Sequence, residues 1–182
     1  MKGKLYVVGT PIGNLSDFSP RAAETLEAVD FIAAEDTRVT LKILNRFSIK
    51  KEMVSYYEHN KRERGEAICS RILAGENCAI VTDAGMPAIS DPGQELVAQC
   101  AEYGIDVVSV PGPTAFATAL AVSGMDTGRF TFEGVFSAFL KNRVLSILMK
   151  SRTKNVPWSF MRRRTNLQIR SGICMPLSET ER

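Results

Sequence analysis

The chain has 182 residues, of which 45% are hydrophobic and 24% charged, with a formal net charge of +3. This length and apolar content allow one medium-sized domain or two small ones, and they exclude a disordered or fibrous protein. No apolar run approaches the roughly 18 residues that a membrane-spanning helix needs, and the start MKGKLYVVGTPIGN reaches Gly and Pro too early for a secretory signal. The sequence therefore predicts a soluble, cytoplasmic protein with no membrane segment.

Short apolar runs alternate with segments of helical periodicity, which is the pattern of a parallel sheet covered by helices. Strands are predicted at 5–8, 31–34, 53–56, 78–81 and 107–110, and a further strand in RFTFEG. Helices are predicted at 20–29, 37–47, 61–73, 94–103 and 114–122. Ser19 before Pro20 is a predicted N-cap, and Gly75 and Gly104 are predicted helix ends. The predicted fold class is α/β, with a five-stranded, mostly parallel sheet and flanking helices.

The loops that follow the predicted strands are rich in Gly, Pro and polar residues. In chain order they read GTPIGNL, EDTR, YYEHN, TDAGMPAISDPG and PGPT. Their glycines, which allow a positive φ or the close approach of a ligand, are Gly9, Gly13, Gly85, Gly93 and Gly112. Ligands of open α/β sheets bind at the carboxyl ends of the strands, so these loops predict a rim for a nucleotide-like molecule, although ordinary turns use the same residues. GTPIGN matches neither the dinucleotide-binding motif nor the P-loop motif.

Carboxylates follow the second and fourth predicted strands. Asp83 fits either a ligand contact or a structural role, whereas Asp91 is predicted to cap the helix that begins near Gly93. Asp36 and Arg38 are predicted to form a salt-bridged helix start, because acidic residues are favoured in a first turn.

His59 is the only histidine, so it cannot belong to a metal site with several histidines. A solvated loop residue and a functional residue remain open as interpretations. The helix that follows carries Lys61, Arg62, Arg64 and Arg71. These residues could hold phosphates, but the interspersed acidic residues are equally typical of a solvated helix surface. Cys69, Cys78, Cys100 and Cys174 lie far apart without a CxxC pair and are predicted to be reduced, mostly buried thiols.

Taken in order, GTPIGNLSD, AEDTR, SYYEHN, VTDAGMPAISDPG, VPGPTAFATALAVSG and RFTFEG resemble the motifs of the tetrapyrrole methylase superfamily. The resemblance covers residues 4–134. One branch of this superfamily 2′-O-methylates a cytidine of small-subunit rRNA with S-adenosylmethionine, and its motifs are similar to GTPIGN, EDTR and the HN pair of this sequence. Branches that act on corrin or porphyrin rings generally have a first loop closer to GAGPGD. The resemblance implies two α/β domains with the methyl donor in the cleft between them, a homodimer, and small-subunit rRNA or the ribosomal subunit as partner.

The resemblance also implies site residues. The first domain's share of the S-adenosylmethionine site would be Gly9, Thr10, Pro11, Asp83, Ala84, Gly85, Met86, Pro111, Gly112, Pro113 and Thr114. The residues nearer the RNA would be Glu35, Asp36, Arg38, His59 and Asn60. Asp83, Asp36 and His59 are candidates for the base that accepts the ribose hydroxyl proton, with Asp83 preferred as the catalytic residue because its strand runs directly to the rim. No metal is implied.

Two other functions remain open from the sequence. One is methylation of a corrin or porphyrin precursor by a related enzyme. The other is a non-catalytic module that binds nucleotide or RNA.

The composition changes after Gly134, since residues 1–134 carry a net charge of −5 and residues 135–182 a net charge of +8. The family pattern is also lost there. If the codons of this segment are read one base out of register, they permit the amino-acid sequence FLSVLKK from Val135 and RTMVFYEAPHKLADTLRDMYAAFGDRK from Asn155. Both sequences are what the resemblance to the family implies at these places.

The sequence therefore predicts an N-terminal methylase domain at 1–113, the start of a second domain at 114–134, and an out-of-frame basic tail at 135–182 in place of most of that domain. We expect weak or no methyl transfer from such a chain. The alternative interpretation of the tail is a basic RNA-binding arm.

Overall fold

The computed structural model describes residues 1–57, 61–136 and 158–162. The chain divides into two compact units, Met1–Thr114 and Ala115–Arg182. Within the described ranges, no helix is both long enough and apolar enough to cross a membrane.

Strands and helices alternate along the described part of the first unit. The strands are β1 (Lys4–Val8), β2 (Phe31–Ala34), β3 (Glu52–Ser55), β4 (Cys78–Val81) and β5 (Asp106–Val110). The helices are α1 (Pro20–Ala28), α2 (Thr37–Arg46), α3 (Lys61–Leu73) and α4 (Gln94–Glu102), and a 3-10 turn occupies Leu15–Asp17. Each of these strands and α-helices was predicted from the sequence, with ends that differ by no more than one residue.

The five strands form one parallel sheet in the order β3-β2-β4-β1-β5. In its register, Leu5 lies between Cys78 on one side and Val107 on the other. Because β4 is inserted between β2 and β1, the loops that follow these three strands are neighbours at the carboxyl end of the sheet. The loop after β5 lies beside the loop after β1. The predicted α/β fold with a five-stranded parallel sheet is confirmed.

Helices cover both faces of this sheet. On one face, residues of α3 and α4 such as Ile68 and Leu96 join a buried cluster with Leu5. On the other face, residues of α1 and α2 such as Leu26 and Leu44 form a second buried cluster. All residues of β2 and β4 are buried, which explains why FIAA and CAIV are continuous apolar runs rather than alternating ones. Each fully buried Leu, Ile or Phe side chain contributes about 1.5–3 kcal/mol to folding.

Most of the predicted helix boundaries are confirmed by their capping geometry. The Ser19 hydroxyl accepts a hydrogen bond from the N–H of Ala22 at 3.1 Å. Gly75 and Gly104 end their helices with φ of 112° and 61°. The prediction that Asp91 caps α4 is wrong, because the N-cap is Gly93 and no side chain caps this helix. The chain turns into the helix only at Gly93, whose φ of 126° suits glycine, so Asp91 lies too early in the chain to cap it.

The described part of the second unit contains α5 (Ala115–Ala121), β6 (Thr131–Phe136) and β7 (Trp158–Arg162). β6 and β7 pair in parallel. The strand predicted in RFTFEG is confirmed by β6, and its Phe132 ring stacks on Phe116 with centroids 4.7 Å apart. β7 lies in the segment 135–182, in which the sequence analysis predicted no element.

The buried thiols agree with the sequence prediction. Cys69, Cys78 and Cys100 are free and buried, whereas Cys174 lies outside the described residues. The sulfur atoms of Cys69 and Cys100 are 3.8 Å apart. Burial raises the pKa of all three thiols, to about 12 for Cys100, so they are protonated and unreactive at neutral pH.

Candidate functional site

Main-chain hydrogen bonds tie the loop after β1 to the loop after β4. The N–H of Thr10 donates to the carbonyl of Gly85 at 2.9 Å, and the N–H of Gly85 donates to the carbonyl of Thr10 at 3.1 Å. The Thr10 hydroxyl is buried and donates to the carbonyl of Thr82 at 3.0 Å. The side chain of Thr10 therefore supports the two loops from inside.

The loop after β1 also touches the loop after β5. The N–H of Gly9 donates to the carbonyl of Val110 at 3.2 Å. A Cβ atom added to Gly9 would lie 2.6 Å from the Cα of Gly112, and one added to Gly112 would lie 2.7 Å from the Cα of Gly9. Glycine is needed at both positions because the two main chains are in contact. Gly85 differs, since its φ of 95° is what requires glycine there.

The residues predicted to bind the methyl donor all lie in these three loops at the carboxyl end of the sheet. Those with exposed side chains are Asp83, Ala84 and Pro111; the half-buried ones are Met86, Gly112, Pro113 and Thr114; and the buried ones are Gly9, Thr10, Pro11 and Gly85. Met86 packs against the core under the loops. The exposed group of this set that can exchange a proton is the carboxylate of Asp83.

The end of β2 lies directly beside the end of β4. The carboxylate of Glu35 accepts a hydrogen bond from the N–H of Asp83 at 3.3 Å, and the N–H of Glu35 donates to the carbonyl of Val81, also at 3.3 Å. The residues predicted to face RNA and those predicted to face the cofactor therefore meet at Glu35 and Asp83. This contact exists because β4 is inserted next to β2.

Asp36 and Arg38 form the salt-bridged helix start that the sequence predicted. Asp36 is the N-cap of α2, and its carboxylate accepts hydrogen bonds from the backbone N–H of Arg38 at 2.8 Å and from the guanidinium at 2.7 and 3.0 Å. These bonds lower the pKa of Asp36 to about 2. Asp36, and to a smaller extent the charge of Asp83, raises the pKa of Arg38. The Arg38 side chain remains 88% exposed.

Two of the predicted RNA-facing residues, His59 and Asn60, lie outside the described residues. On the helix that follows, Arg62 and Arg64 are exposed. Arg71 does not share their surroundings: its guanidinium binds the carboxylates of Glu52 and Glu76 at the amino end of the sheet. Arg71 therefore has a structural partner for its charge and does not belong to a phosphate-binding face.

Thr82, between β4 and Asp83, was not identified from the sequence. Its side chain is 1% exposed, and its hydroxyl oxygen has no hydrogen-bond partner among the described residues. Successive side chains of a strand point to opposite faces of the sheet, so in CAIVTD the side chain of Thr82 lies on the same face as that of the buried Ile80. This position is the signal that could have marked Thr82 as buried. A buried hydroxyl without a partner at the end of a strand is available to a ligand. The described part of the chain contains no group of three or more His, Cys, Asp or Glu side chains that could hold a metal ion.

Several known proteins with similar sequences share a name. Residues 4–159 match the family of tetrapyrrole (corrin/porphyrin) methylases. A protein of Synechocystis sp. named ribosomal RNA small subunit methyltransferase I is 53% identical over 149 residues, which are 82% of this chain and 53% of that protein. Proteins of the same name from Thermotoga maritima and Halalkalibacterium halodurans are 52% and 51% identical, over 72% and 78% of this chain and 60% and 49% of their own length. The chain thus spans about half the length of the curated relatives it matches.

Solved structures with low sequence identity share the fold. A diphthine synthase superposes with a TM-score of 0.71 at 12% identity, covering 88% of this chain and 64% of that one. Uroporphyrin-III-C-methyltransferase from Thermus thermophilus superposes with a TM-score of 0.54 at 21% identity, covering 72% and 59%. The family match continues past Gly134, where the sequence motifs end, to residue 159. The sequence match over most of the chain and the shared fold lead to one conclusion: the chain belongs to the tetrapyrrole methylase family.

Proposed function

We propose that this chain serves the S-adenosylmethionine-dependent 2′-O-methylation of a cytidine ribose in small-subunit (16S) rRNA. The observation that carries the proposal is the junction of three loops at the carboxyl end of the sheet, where the Asp83 carboxylate is exposed beside Glu35. The name shared by relatives at 51–53% identity supports the choice of rRNA as the methyl acceptor. An rRNA substrate also implies a cytoplasmic protein, and the family resemblance implies a homodimer.

The loops have features that fit a nucleoside cofactor. The Thr82 hydroxyl is buried without a partner, and the exposed Asp83 carboxylate can accept hydrogen bonds from hydroxyl or amino groups. When bound, S-adenosylmethionine supplies a methyl group on a sulfonium centre, which an oxygen nucleophile can displace. The residues proposed to hold it are Gly9, Thr10, Pro11, Asp83, Ala84, Gly85, Met86, Pro111, Gly112, Pro113 and Thr114. Thr10 and Gly9 would act by fixing the loops, because their contacts are with neighbouring loops.

Asp83 is the proposed proton acceptor. Displacement by a ribose hydroxyl requires the hydroxyl proton to leave, and a positioned carboxylate provides typically 100- to 10,000-fold of rate by accepting it. Glu35 holds the backbone of Asp83 through the bond to its N–H. Glu35, Asp36 and Arg38, with His59 and Asn60, are proposed to contact the RNA. Holding the two reacting atoms in line contributes several kcal/mol, roughly 7–11 at the upper limit.

We further propose that methyl transfer by the 182-residue chain is impaired, because residues from about Val135 are an out-of-frame translation. The nucleotide sequence tests this directly. Codons from Val135 to Glu181 that cannot be read as FLSVLKK and RTMVFYEAPHKLADTLRDMYAAFGDRK in the second frame would contradict it.

The function is tested by comparing the chain with a second protein in which the reading frame is restored after Gly134. We expect the restored protein to transfer the labelled methyl group of S-adenosylmethionine to small-subunit rRNA, and the 182-residue chain to transfer little. In the restored protein, Asp83→Asn should lower the rate at least about 100-fold, and Asp17→Asn, at an exposed position in the first loop, should not.

Each alternative function has its own outcome in this assay. Transfer to a corrin or porphyrin precursor and not to rRNA would replace the proposed substrate. Tight cofactor or RNA binding without transfer in the restored protein would indicate a non-catalytic module. Normal turnover by the 182-residue chain would overturn the proposed impairment.

A further inference from the structure

The charge of the first unit is distributed unevenly. Residues 37–51, which contain α2 and the turn into β3, include five basic and no acidic residues. The rest of Met1–Thr114 includes seven basic and sixteen acidic residues. α1 and α4 contain more acidic than basic residues, whereas α3 contains four basic and two acidic residues. Among the described helices of this unit, α2 differs in having basic residues and no acidic ones.

The basic residues of α2 lie along its outer surface. Thr40, Ile43 and Leu44 are buried against the sheet. Arg38, Lys42 and Arg46, which we call the α2 basic stripe, are exposed and spaced four residues apart. This spacing places successive members on one side of the helix, with a rise of about 6 Å at each step. The stripe starts at the carboxyl end of the sheet, where the candidate site lies, and leads away from it.

Two of the three charges of the stripe have no partner in the described part of the fold. Arg38 is paired with Asp36, but neither Lys42 nor Arg46 makes an ion pair within the part of the chain that the structure describes. Like charges four residues apart destabilise a helix, although Arg46 in the last turn of α2 interacts favourably with the helix dipole. An acidic residue at position 42 would remove the repulsion of Lys42 by Arg38 and by Arg46. A cation at position 42 is therefore better explained by an anionic partner than by stability.

We propose that the α2 basic stripe binds the sugar-phosphate backbone of the RNA whose ribose is methylated, an inference that rests on the proposed function. A line of exposed, flexible cations about 12 Å long suits a repeating series of phosphates better than a single anion. Arg38 connects the stripe to the candidate site, because its guanidinium binds Asp36 and lies within the electrostatic influence of Asp83. RNA bound along α2 would thus be directed towards the exposed carboxylate.

The test compares a variant that lacks two charges of the stripe with a control variant that lacks two charges at the amino end of the sheet. The variant K42Q/R46Q keeps Arg38, while the matched control K2Q/K4Q removes exposed lysines at the amino end of the sheet. Binding of the full chain to a fluorescein-labelled transcript of small-subunit rRNA is followed by anisotropy at several KCl concentrations. K42Q/R46Q should bind on the order of tenfold more weakly at low salt, with the slope of log K against log salt reduced by about 1.4–1.8. K2Q/K4Q should stay within about twofold of the original chain, because it lies outside the stripe.

Further variants separate this inference from the proposed function. K42R/R46K, which keeps the charges, should bind RNA normally, and all variants should keep the original far-UV circular dichroism spectrum and affinity for S-adenosylmethionine. Unchanged affinity and salt slope in K42Q/R46Q, while the original chain binds rRNA, would overturn the stripe and leave the proposed function standing. Unchanged rRNA binding together with lost binding of a small-subunit ribosomal protein would reassign the stripe to a protein partner. Absence of rRNA binding both by the original chain and by the protein with its reading frame restored after Gly134 would overturn both.

Discussion

Charged side chains take a larger part in holding together the amino end of the central sheet than its carboxyl end. At the carboxyl end, main-chain groups connect the loops, through the paired bonds of Thr10 with Gly85 and the contact of Gly9 with Gly112. At the amino end, charged side chains connect the strands, as when Arg71 joins Glu52 to the rest of the sheet.

Other bonds at the amino end also involve charged side chains. Lys4 and Asp106 pair at 3.5 Å, and the Asp30 carboxylate accepts a hydrogen bond from the N–H of Asn77 at 2.6 Å. These bonds add to main-chain bonds at the same end, such as the one from the N–H of Gly3 to the carbonyl of Ile72 at 2.9 Å. At the carboxyl end the main chain and the Glu35 carboxylate hold the loops, and the side chain of Asp83 remains exposed to solvent. A parallel sheet can thus keep one end for structure and leave the other for ligands.

The largest effect is expected from a side chain placed between the two main chains at the carboxyl end. Gly112→Ala puts a Cβ atom 2.7 Å from the Cα of Gly9, and the backbone must move to relieve the contact. We expect the free energy of unfolding to fall by about 2–3 kcal/mol, measured by urea denaturation. Gly124→Ala is the control, since its Cβ would meet nothing within 4 Å and only the φ of 69° opposes it, at about 1–2 kcal/mol. Equal losses for the two variants would mean that the contact between the loops is unimportant.

A smaller effect is expected at the amino end. Arg71→Met removes the bonds to Glu52 and Glu76 and the stacking of the guanidinium over the Phe31 ring, 3.7 Å from its centroid. The free energy of unfolding should fall by about 1–2 kcal/mol. Arg64→Met, at an exposed position on the same helix, should change it by less than about 0.5 kcal/mol. Arg71→Lys should recover part of the loss, and full stability of Arg71→Met would contradict the structural role of these charges.

The smallest effect concerns Asp36, a charged side chain that supports structure at the carboxyl end. Its pKa of about 2 in the folded chain is below its ordinary value of 3.8, because Arg38 bonds to the carboxylate. Because the pKa is lower in the folded chain, the contribution of Asp36 to the free energy of unfolding is complete above about pH 4 and is lost as the pH falls through about 2. The urea midpoints of the original chain and of Asp36→Asn should therefore converge between about pH 5 and pH 2. A constant difference over this range would show that the ion pair does not stabilise α2.

Local sequence signals were sufficient for the strands and α-helices described in Met1–Thr114. The apolar runs of β2 and β4 coincide with the strands because both are buried on two faces. Ser19 and Gly75 marked helix ends because capping depends on neighbouring residues alone. Asp91 failed as a predicted cap because the course of the loop before α4 is set by Gly93, whose conformation the sequence does not reveal.

Contacts between distant parts of the chain were decided by the strand order. The sequence marked the loops after β1, β4 and β5 as a ligand rim, but it did not show that Thr10 supports the rim from inside or that Gly9 and Gly112 touch. It also did not separate Arg71 from the other basic residues of α3. The sequence by itself determined the elements, since these depend on periodicity and on residues close in the chain. The tertiary structure decided which side chains are left free to act, because insertion of β4 between β2 and β1 determines which loops become neighbours.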